Sequence, residues 1–449
     1  MSSSSSSRLA LGLLAVFFLI ISLFTAQATV PASKTFKFIN QGEIGQYIVE
    51  YGADYRVTDL QTFPFALCFY NTTPNAFTLG LRMGNRHSES IMRWVWDANR
   101  GNPVHENATL TFGTDGNLVL ADVDGSVAWQ TGTANKGVVG LRLFSNGNLV
   151  LYDQKGRFVW ESFDHPTDTL LVGQSLRPGG PNKLISRLSA VDGSEGTFRF
   201  ELEKIRWAMY MKSKNSVKPL LYYPHPKFTY EKGATLTRLR FNSEPDTKEN
   251  NAFDLMLELE INNVSSGSSF LARPKYNGTL SMLRLGYDGN LNIYTYYDKV
   301  DWGAWETTFS LFERKGRERG RESECQLPTR CGSLGVCEDD QCVACPTQKG
   351  MVGWSKSCAT PVLPSCNKGK GGAKVDYYKV VGVEHFMNGY TEGDGPMKVV
   401  ECRDKCSKDC GCLGFFYREE SSKCLLAPEL GTLEKVSNTT HVAFIKFSK

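Results

Sequence analysis

Apolar and polar residues alternate along much of the first two thirds of the chain. Over residues 198–203 the order is Phe-Arg-Phe-Glu-Leu-Glu, and Leu118 and Leu120 alternate with Asn117 and Val119. Successive side chains of a strand face opposite ways, so a period of two predicts β-strands with one buried face. After the N-terminal apolar segment, no stretch before residue 313 has the period of a long amphipathic helix. This part of the chain is predicted to be all-β.

One segment of the chain occurs three times. The run Leu110–Leu120 recurs as Leu141–Leu151, an offset of 31 residues that also carries Trp129 onto Trp160. A third copy, shifted by 173 residues from the first, covers 283–302. Each copy contains Asp-Gly or Asn-Gly, which is a tight-turn signal between strands. Copies at a fixed period indicate stacked units, so we expect three-fold repeats of short strands.

The repeated strand places polar groups at regular spacing on one face. In the second copy these residues are Asn146, Asn148, Val150 and Tyr152. Amides and a phenol supply donors and acceptors for sugar hydroxyls, and the aliphatic side chain can pack against ring carbons. Asn148 could equally cap the turn while Val150 and Tyr152 pack, so spacing alone leaves both roles open. A carbohydrate site requires that Asn148 and Tyr152 face solvent beside an open groove.

Composition and charge narrow the function classes. The chain has 449 residues, of which 41% are hydrophobic and 22% charged, as expected for a globular protein of about three domains. Lys and Arg number 51 against 47 Asp and Glu, with the two signs interspersed. This balance argues against a nucleic-acid binder or a protein dedicated to membrane surfaces. Six histidines leave little for histidine-based catalysis or a multi-histidine metal site.

The N-terminus predicts export. An apolar run at 9–24 follows Arg8 and precedes Ala-Gln-Ala at 26–28, which is typical of a secretory signal peptide (1–28) cleaved after Ala28. An uncleaved anchor is the alternative, but the run is shorter than the roughly 20 residues that span a bilayer. We therefore expect a secreted protein with no membrane span after cleavage.

Secretion gives the cysteines and asparagines a meaning. Cys68 stands alone in the first 324 residues, and the other twelve cysteines lie between Cys325 and Cys424. In an oxidising compartment such a cluster predicts a disulfide framework rather than zinc sites. Five sequons are candidate N-glycosylation sites: Asn71, Asn107, Asn263, Asn277 and Asn438. We expect a glycoprotein.

The repeats resemble a known family. The run 144–152 is similar to the Q-x-D-x-N-x-V-x-Y motif of plant bulb-type, mannose-binding lectins, and 96–104 and 160–169 resemble the S-locus-glycoprotein branch of that family. The resemblance implies a mainly β fold with two β-prism domains of three-fold pseudosymmetry, at 29–180 and, in degenerate form, at 181–312. It also implies binding of mannose-type sugars on strand faces and a location in the extracellular space, apoplast or cell wall.

No copy keeps all five motif residues. The positions that match, or that stand at the sugar-binding positions of the motif, are Asp115, Asn117 and Val119 in copy one, Asn146, Asn148, Val150 and Tyr152 in copy two, and Asp288, Asn290 and Tyr294 in copy three. The Gln position holds Gly113, Phe144 and Gly286, and Ala121 replaces the Tyr of copy one. Each lost hydrogen bond costs about 0.5–1.5 kcal/mol, so sugar binding is expected to be weak unless many sites act together.

A charged segment and a small cysteine-rich module follow. Residues 313–324 carry five basic and four acidic residues and two glycines, which predicts a solvated joint or, alternatively, a contact with acidic wall polysaccharide. The cysteines of 325–360 resemble an EGF-like module, which is too small for a core of its own. The resemblance implies the pairs Cys325–Cys337, Cys331–Cys342 and Cys345–Cys358. Read alone, Cys342-x-x-Cys345 would also suit a redox site or half a zinc site.

The last segment, 366–449, resembles a PAN/apple domain of α+β structure. Cys402 and Cys406 lie one helical turn apart and so share one face of a predicted helix. The resemblance implies Cys402–Cys424 and Cys406–Cys412, with Cys366–Cys410 as the remaining pair and Cys68 as a buried thiol. This domain is expected to act either as a rigid spacer or as a surface for a protein partner or self-association.

Three function classes were weighed. The chain lacks G-x-S-x-G, H-E-x-x-H, P-loop and dinucleotide motifs, so no enzyme and no cofactor is predicted, although a glycosidase whose two acids meet only in space stays an alternative. Asp122 and Asp124 suggest calcium, but Thr133 stands where an EF-hand loop has Glu, so no metal is predicted. The remaining classes are a secreted lectin for mannose-type glycans of extracellular glycoproteins or wall polysaccharide, and a sugar-blind protein-recognition scaffold related to S-domain receptor ectodomains.

Overall fold

The computed structural model describes residues 29–84, 91–226, 233–246, 252–300, 302–364 and 375–449. This part contains 34 β-strands and one α-helix, so the prediction of a mainly β fold is confirmed. Short 3-10 turns lie at Ala32–Lys34, Glu50–Gly52, Ser162–Asp164, Gly316–Arg319 and Glu324–Gln326. The predicted signal peptide lies outside the described residues. Within them, no helix has the length and apolar content needed to cross a membrane.

The first eleven strands build a three-sided prism. They are β1 (Phe36–Ile39), β2 (Asp54–Thr62), β3 (Phe65–Asn71), β4 (Phe77–Met83), β5 (Arg93–Asp97), β6 (Thr109–Phe112), β7 (Leu118–Ala121), β8 (Val127–Gln130), β9 (Val138–Leu143), β10 (Leu149–Asp153) and β11 (Phe158–Glu161). Three antiparallel sheets have the orders β2-β3-β4-β5, β1-β6-β7-β8 and β11-β10-β9. Their inward residues, among them Leu67, Leu110 and Leu151, meet in one apolar core.

The 31-residue repeat is a repeat of register. In copy one Leu120 pairs with Leu110 and with Trp129, and in copy two Leu151 pairs with Leu141 and with Trp160. Each copy is thus one three-stranded meander, in which Asp-Gly or Asn-Gly makes the first turn. The turn glycines Gly116 and Gly147 have φ values of 80° and 85°, a left-handed conformation that favours glycine.

The next twelve strands build a second prism. They are β12 (Thr169–Leu171), β13 (Ser175–Leu176), β14 (Lys183–Arg187), β15 (Glu195–Leu202), β16 (Trp207–Met211), β17 (Leu220–Pro224), β18 (Leu236–Pro245), β19 (Phe253–Ile261), β20 (Val264–Ala272), β21 (Ser281–Leu285), β22 (Leu291–Tyr296) and β23 (Trp305–Ser310). The sheets have the orders β12-β21-β22-β23, β13-β18-β19-β20 and β14-β15-β16-β17. β12 and β13 precede residue 180 yet pair with β21 and β18. The division at residue 180 stays a prediction.

The third copy of the repeat departs from the predicted alignment. The 173-residue shift placed Trp302 at the position of Trp129, but Ile293 of β22 pairs with Phe309 of β23. Phe309 is buried, whereas Trp302 is 64% exposed. The reason is a longer connection between β22 and β23, which pushes Trp302 out of the sheet. The predicted end of copy three is therefore wrong.

The expected solvated joint is a folded turn. Its ends form β24 (Phe312–Glu313) and β25 (Glu322–Ser323), which pair in parallel. The Arg321 guanidinium lies 4.1 Å from the ring centre of Phe309 and donates to the Leu271 carbonyl at 2.9 Å. Burial lowers the pKa of Arg321 below its ordinary value. The expectation of a solvated segment is wrong because its charges find partners on the second prism and on the C-terminal region.

The C-terminal region joins the EGF-like and PAN segments. Its elements are β26 (Leu334–Glu338), β27 (Gln341–Thr347), β28 (Gly350–Gly353), β29 (Val375–Val381), β30 (Val383–His385), α1 (Val399–Lys408), β31 (Gly414–Arg418), β32 (Lys423–Ala427), β33 (Gly431–Lys435) and β34 (His441–Ser448). One sheet, β28-β27-β26-β33-β30, contains strands of both modules, and a second has the order β29-β34-β31-β32. The two modules are therefore a continuous structure.

Five disulfides hold this region together. They link Cys325 to Cys337, Cys331 to Cys342, Cys345 to Cys358, Cys402 to Cys424 and Cys406 to Cys412. The last two attach α1 to the sheet. The Lys446 ammonium donates to the carbonyls of Cys406, Asp409 and Cys412 at 2.9–3.2 Å, so carbonyls at the end of α1 have partners. Cys366 lies outside the described residues, and its predicted pairing with Cys410 stays a prediction.

Candidate carbohydrate-binding surface

The first residue of each motif turn is exposed and holds the turn. Asp115 accepts a hydrogen bond from the backbone N–H of Asn117 at 3.1 Å, and Asn146 accepts the equivalent bond from Asn148 at 3.1 Å. In copy three Asp288 accepts from Asn290 at 3.0 Å. Each of these side chains keeps a surface toward solvent. The three are available to a ligand and also shape the strand that follows.

The motif asparagine of copy two is turned inward. Asn148 is 5% exposed, and its Nδ2 donates to Glu161 Oε2 at 2.6 Å. Its Oδ1 accepts from Ser162 Oγ at 3.2 Å and from the Phe163 N–H at 3.3 Å. These bonds fasten the motif turn to the chain after β11. The expectation that Asn148 faces solvent is wrong, because its amide connects two strands.

The other two motif asparagines have the same structural use. Asn117 donates to Gln130 Oε1 at 2.8 Å and accepts from Thr131 Oγ1 at 3.0 Å. Asn290 donates to the carbonyl of Phe312 at 2.7 Å and accepts from its N–H at 3.1 Å. Both asparagines are buried. Their amides are therefore committed within the protein in all three copies.

The aliphatic position differs between copies. Val119 is half-buried in copy one, but Val150 has no exposed surface. Val150 stands directly between Arg142 of β9 and Glu161 of β11 in the strand register. Two long cross-strand neighbours cover it, so the expectation that Val150 packs against a sugar from solvent is wrong.

Tyr152 keeps part of its ring accessible. It pairs with Gly140 on β9, and a Cβ on Gly140 would collide with the tyrosine hydroxyl. The missing side chain thus lets the Tyr152 ring lie across the sheet. The Lys34 ammonium is 5.9 Å from the ring centre. Copy two retains Asn146 and Tyr152 as its accessible motif residues.

Copy three is closed by the first prism. The Arg93 guanidinium lies 4.3 Å from the ring centre of Tyr294, and burial raises the pKa of Tyr294 above its ordinary value. Asn292, at the Val position, accepts from Ser310 Oγ at 2.7 Å. Asp288 alone among the predicted residues of this copy is exposed. The expectation that Asp288, Asn290 and Tyr294 share one open face is wrong because Tyr294 belongs to the contact between prisms.

Two residues that the motif search missed support the asparagines. Gln130 and Glu161 are related by the 31-residue offset, follow Trp129 and Trp160, and accept the bonds from Asn117 and Asn148. Gln130 is exposed beside Val119, its partner in the strand register. It brings an amide to copy one, where Gly113 stands at the Gln position of the motif. The repeat offset was the signal that could have found both residues.

An aromatic cavity adjoins copy one. A space of about 590 Å³ opens at the end of the first prism. Trp96, Trp129 and Trp160, one from each sheet, pack edge to face with ring centres 5.8–6.1 Å apart. They line this space together with polar side chains, which include Gln130, Asp164, Lys183 and Glu195. Because Gln130 belongs to both features, the cavity and the copy-one face form one continuous surface.

Buried polar groups also reach the cavity. Arg100, another lining residue, donates to the carbonyls of Gly193 and Ile185 at 2.7 Å each. Its Nη2 has no hydrogen-bond partner within the described chain and lies 3.6 Å from Asp168 Oδ2. His165 stacks on Trp160 at 5.2 Å, and burial lowers the pKa of His165. Neutral His165 and the tryptophans give the cavity an aromatic floor with a charged edge.

The predicted glycosylation sites differ in accessibility. Asn71 is 8% exposed and pairs with strands on both sides, at Asp54 and Phe77. Asn107, Asn263, Asn277 and Asn438 are exposed. Four sequons are therefore sterically open. Among the described residues, no cluster of His, Cys, Asp and Glu has an arrangement that could hold a metal ion.

Comparison with known proteins identifies the family. A family model described as "D-mannose binding lectin" matches residues 93–188, which include copies one and two. EP1-like glycoprotein 2 of Arabidopsis thaliana is 48% identical over 443 residues, covering 94% of this chain and 95% of that protein. The epidermis-specific secreted glycoprotein EP1 of Daucus carota is 56% identical over 348 residues, covering 75% of this chain and 90% of that protein.

A more distant similarity extends to receptors. A G-type lectin S-receptor-like serine/threonine-protein kinase of Arabidopsis thaliana is 27% identical over 377 residues, covering 79% of this chain but 39% of the kinase. The nearer relatives are lectin-type glycoproteins rather than enzymes, and they match nearly end to end. The chain therefore belongs to the EP1-like glycoprotein family of lectin-domain proteins.

Proposed function

We propose that this protein is a secreted glycoprotein that binds mannose-type glycans weakly, at the surface formed by the tryptophan cavity and the copy-one strand face. The family model that spans both features describes a mannose-binding lectin, and a relative carries "secreted" in its name. The proposal assigns the protein no catalytic role. Its ligands are glycans of extracellular glycoproteins or of wall polysaccharide.

The observation that carries the proposal is the aromatic cavity with its polar rim. Its volume of about 590 Å³ lies within the range of about 300–1,000 Å³ found for ligand pockets. Indole rings offer flat apolar surfaces to the C–H face of a pyranose, and amide, carboxylate and ammonium groups at the rim can bond its hydroxyls. Gln130 is the group that connects this cavity with Asp115 and Val119.

Weak binding follows from the motif geometry. The amides of Asn117, Asn148 and Asn290 already have protein partners, and Val150 is covered. Each hydrogen bond that a sugar cannot make forgoes about 0.5–1.5 kcal/mol, or roughly two- to tenfold in affinity. Display on a multivalent glycan would partly restore the strength of binding.

The test compares equivalent residues of two copies. Gln130→Ala and Glu161→Ala each remove the partner of a motif asparagine, but of the two residues only Gln130 lines the cavity. On a glycan array and by titration with methyl mannoside, Gln130→Ala should weaken binding roughly two- to tenfold. Glu161→Ala and Tyr152→Ala should bind like the parent protein. Loss of binding in Tyr152→Ala with full binding in Gln130→Ala would move the site to copy two and contradict the proposal.

Secretion has its own measurement. Protein recovered from the medium should begin at Thr29, as cleavage after Ala28 requires, and should shift in a gel after amidase treatment. Retention of residues 1–28 in the cell-associated protein would contradict export. These results do not depend on sugar binding, so the two parts of the proposal are tested separately.

A second candidate is a sugar-blind scaffold for protein recognition. It is favoured by the inward-turned asparagines of all three copies and by the similarity to receptor kinases. No binding across the array by a correctly folded protein would support it over the lectin. In that case the C-terminal PAN segment is the surface to test for a protein partner or for self-association, by sedimentation over a range of concentrations.

A further inference from the structure

A second cavity, remote from the tryptophans, lies beside a glycosylation sequon. Its volume is about 510 Å³, and Asn277 is one of its lining residues. Asn277 is followed by Gly278 and Thr279, which complete the sequon. This places the attachment point of a glycan at the wall of a space large enough to receive sugar rings.

The Asn277 side chain is presented for modification. Asn277 is exposed, and its Oδ1 accepts a hydrogen bond from the Thr279 N–H at 2.8 Å. Within the described chain the hydrogen bonds of Asn277 leave its Nδ2, the atom that carries an N-glycan, unused. Asn71 is the opposite case, since it is buried between two strands.

The cavity walls are aromatic with a polar edge. Tyr276 is 59% exposed although it packs edge to face against Tyr297, with ring centres 5.0 Å apart. Leu280 and Val300 add apolar surface, and Asp298 and Lys299 supply charge. Tyr297 is held from behind, because its hydroxyl contacts Glu306 and accepts from the Lys275 N–H at 2.9 Å. A firm aromatic wall is thus left facing solvent.

We propose that this cavity is the seat of the first sugars of an N-glycan carried by Asn277. The inference rests on the proposed secretion, since that glycan is added in the secretory pathway. An N-acetylglucosamine offers a C–H face and an acetamide methyl to Tyr276 and Leu280, and hydroxyls to Asp298 and Lys299. Covalent attachment at the cavity wall gives the sugar a high effective concentration, so weak contacts suffice to hold it.

The experiment measures the accessibility of Tyr276 in protein secreted by a glycosylating host. Tyrosine nitration by tetranitromethane, read by peptide mass spectrometry, is compared in the parent protein, Asn277→Gln and Asn263→Gln. Asn263 is the matched control because its sequon is exposed at the turn between β19 and β20 and does not line this cavity. We expect slow nitration of Tyr276 in the parent and in Asn263→Gln, and faster nitration in Asn277→Gln.

Glycan trimming and thermal unfolding complete the test. Trimming every glycan to one N-acetylglucosamine should preserve the protection of Tyr276, because the first sugar makes the contact. Asn277→Gln should lower Tm by about 2–4 °C, the shift for the loss of one good contact in a domain of 150–250 residues. In Tyr276→Ala, which keeps the sequon, adding Asn277→Gln should leave Tm unchanged.

Separate results would overturn each proposal. Equal nitration of Tyr276 in parent and Asn277→Gln overturns the cavity assignment, and so does an unmodified Asn277 in protein whose other sequons are occupied. Both leave secretion and glycan binding intact. Absence of the protein from the medium contradicts the proposed export itself.

Discussion

At the scale of single residues, burial decides what Cys68 can do. Cys68 lies in the middle of β3, between Val57 and Gly80 on the neighbouring strands, and has no exposed surface. It is the free cysteine of the described chain, as the sequence predicts. Burial raises the pKa of its thiol to about 12. Since the thiolate is the reactive form, the folded protein should protect this residue from oxidation and alkylation.

We therefore expect a single thiol that reacts after unfolding. Native protein without reductant should give no colour with Ellman's reagent at pH 8, whereas protein in guanidinium should give one equivalent. The control is Cys68→Ala, which should give none in either condition. Reaction of the native parent protein would contradict the buried position. More than one equivalent from unfolded protein would show that another cysteine lacks a disulfide.

The motif residues show which side-chain roles a sequence can predict. The turn residue Asp115 and the alternation of Leu118 with Asn117 follow from local rules, and both are present in the structure. The partner of Asn117 could not be derived from the motif, because Gln130 lies on another strand. Likewise Val150 is covered by neighbours that its own strand does not specify. Local pattern fixes the direction of a side chain, and cross-strand neighbours fix its exposure.

At the scale of elements, strands were easier to predict than their partners. The period of two identified β15 and the motif strands, and the spacing of Cys402 and Cys406 identified α1. β12 and β13 have three and two residues, too few for a recognisable period, and their partners come much later in the chain. The longer connection before β23 also has no local signal. Long-range pairing was therefore the part that the sequence left undetermined.

One element of the PAN segment makes stability depend on pH. His385 at the end of β30 is buried, its Nδ1 accepts from the Met387 N–H at 3.3 Å, and its Nε2 lies 2.8 Å from the Glu429 carbonyl. This pattern fits the neutral ring with the proton on Nε2. Burial lowers the pKa of His385 to about 4. Protonation would remove the acceptor for Met387 and place a charge in the core.

The sign of the pH effect follows from this shift. The unfolded chain binds a proton at His385 below its ordinary pKa of about 6.5, whereas the folded chain does so only near 4. Stability from this residue is complete above pH 6.5 and falls between pH 6.5 and 4, by at most about 3 kcal/mol.

Unfolding by denaturant at several pH values measures this contribution. His385→Asn, which offers an acceptor to Met387 but does not titrate, should be less stable at pH 7 and should lose less stability on acidification. The exposed His225 provides the control substitution, His225→Asn. An unchanged pH slope in His385→Asn would contradict the assignment.

At the scale of the whole molecule, the two prisms are fastened by buried charge. Glu50 of the first prism accepts from Arg93 at 2.6 Å and from Arg284 of the second at 2.7 Å. Arg284 also donates to the Trp94 carbonyl and to Thr169 Oγ1. The core of the first prism includes Met282 and Tyr296 from the second. The same contact that unites the prisms closes the sugar face of copy three, so the loss of that site accompanies the joining of the prisms.

This arrangement predicts an unusually large effect of one acidic residue. Glu50→Ala leaves the guanidinium groups of Arg93 and Arg284 buried without their carboxylate, which should cost about 3–5 kcal/mol of unfolding free energy. Glu260→Ala is the control, because its pair with Arg238 is solvent-exposed and such pairs contribute about 0–1 kcal/mol. Replacing Glu50 and Arg284 together by Leu and Met should restore much of the loss, since no charge then stays unpaired. Differential scanning calorimetry measures all four proteins, and equal losses in Glu50→Ala and Glu260→Ala would show that the prisms are joined by their apolar contacts instead.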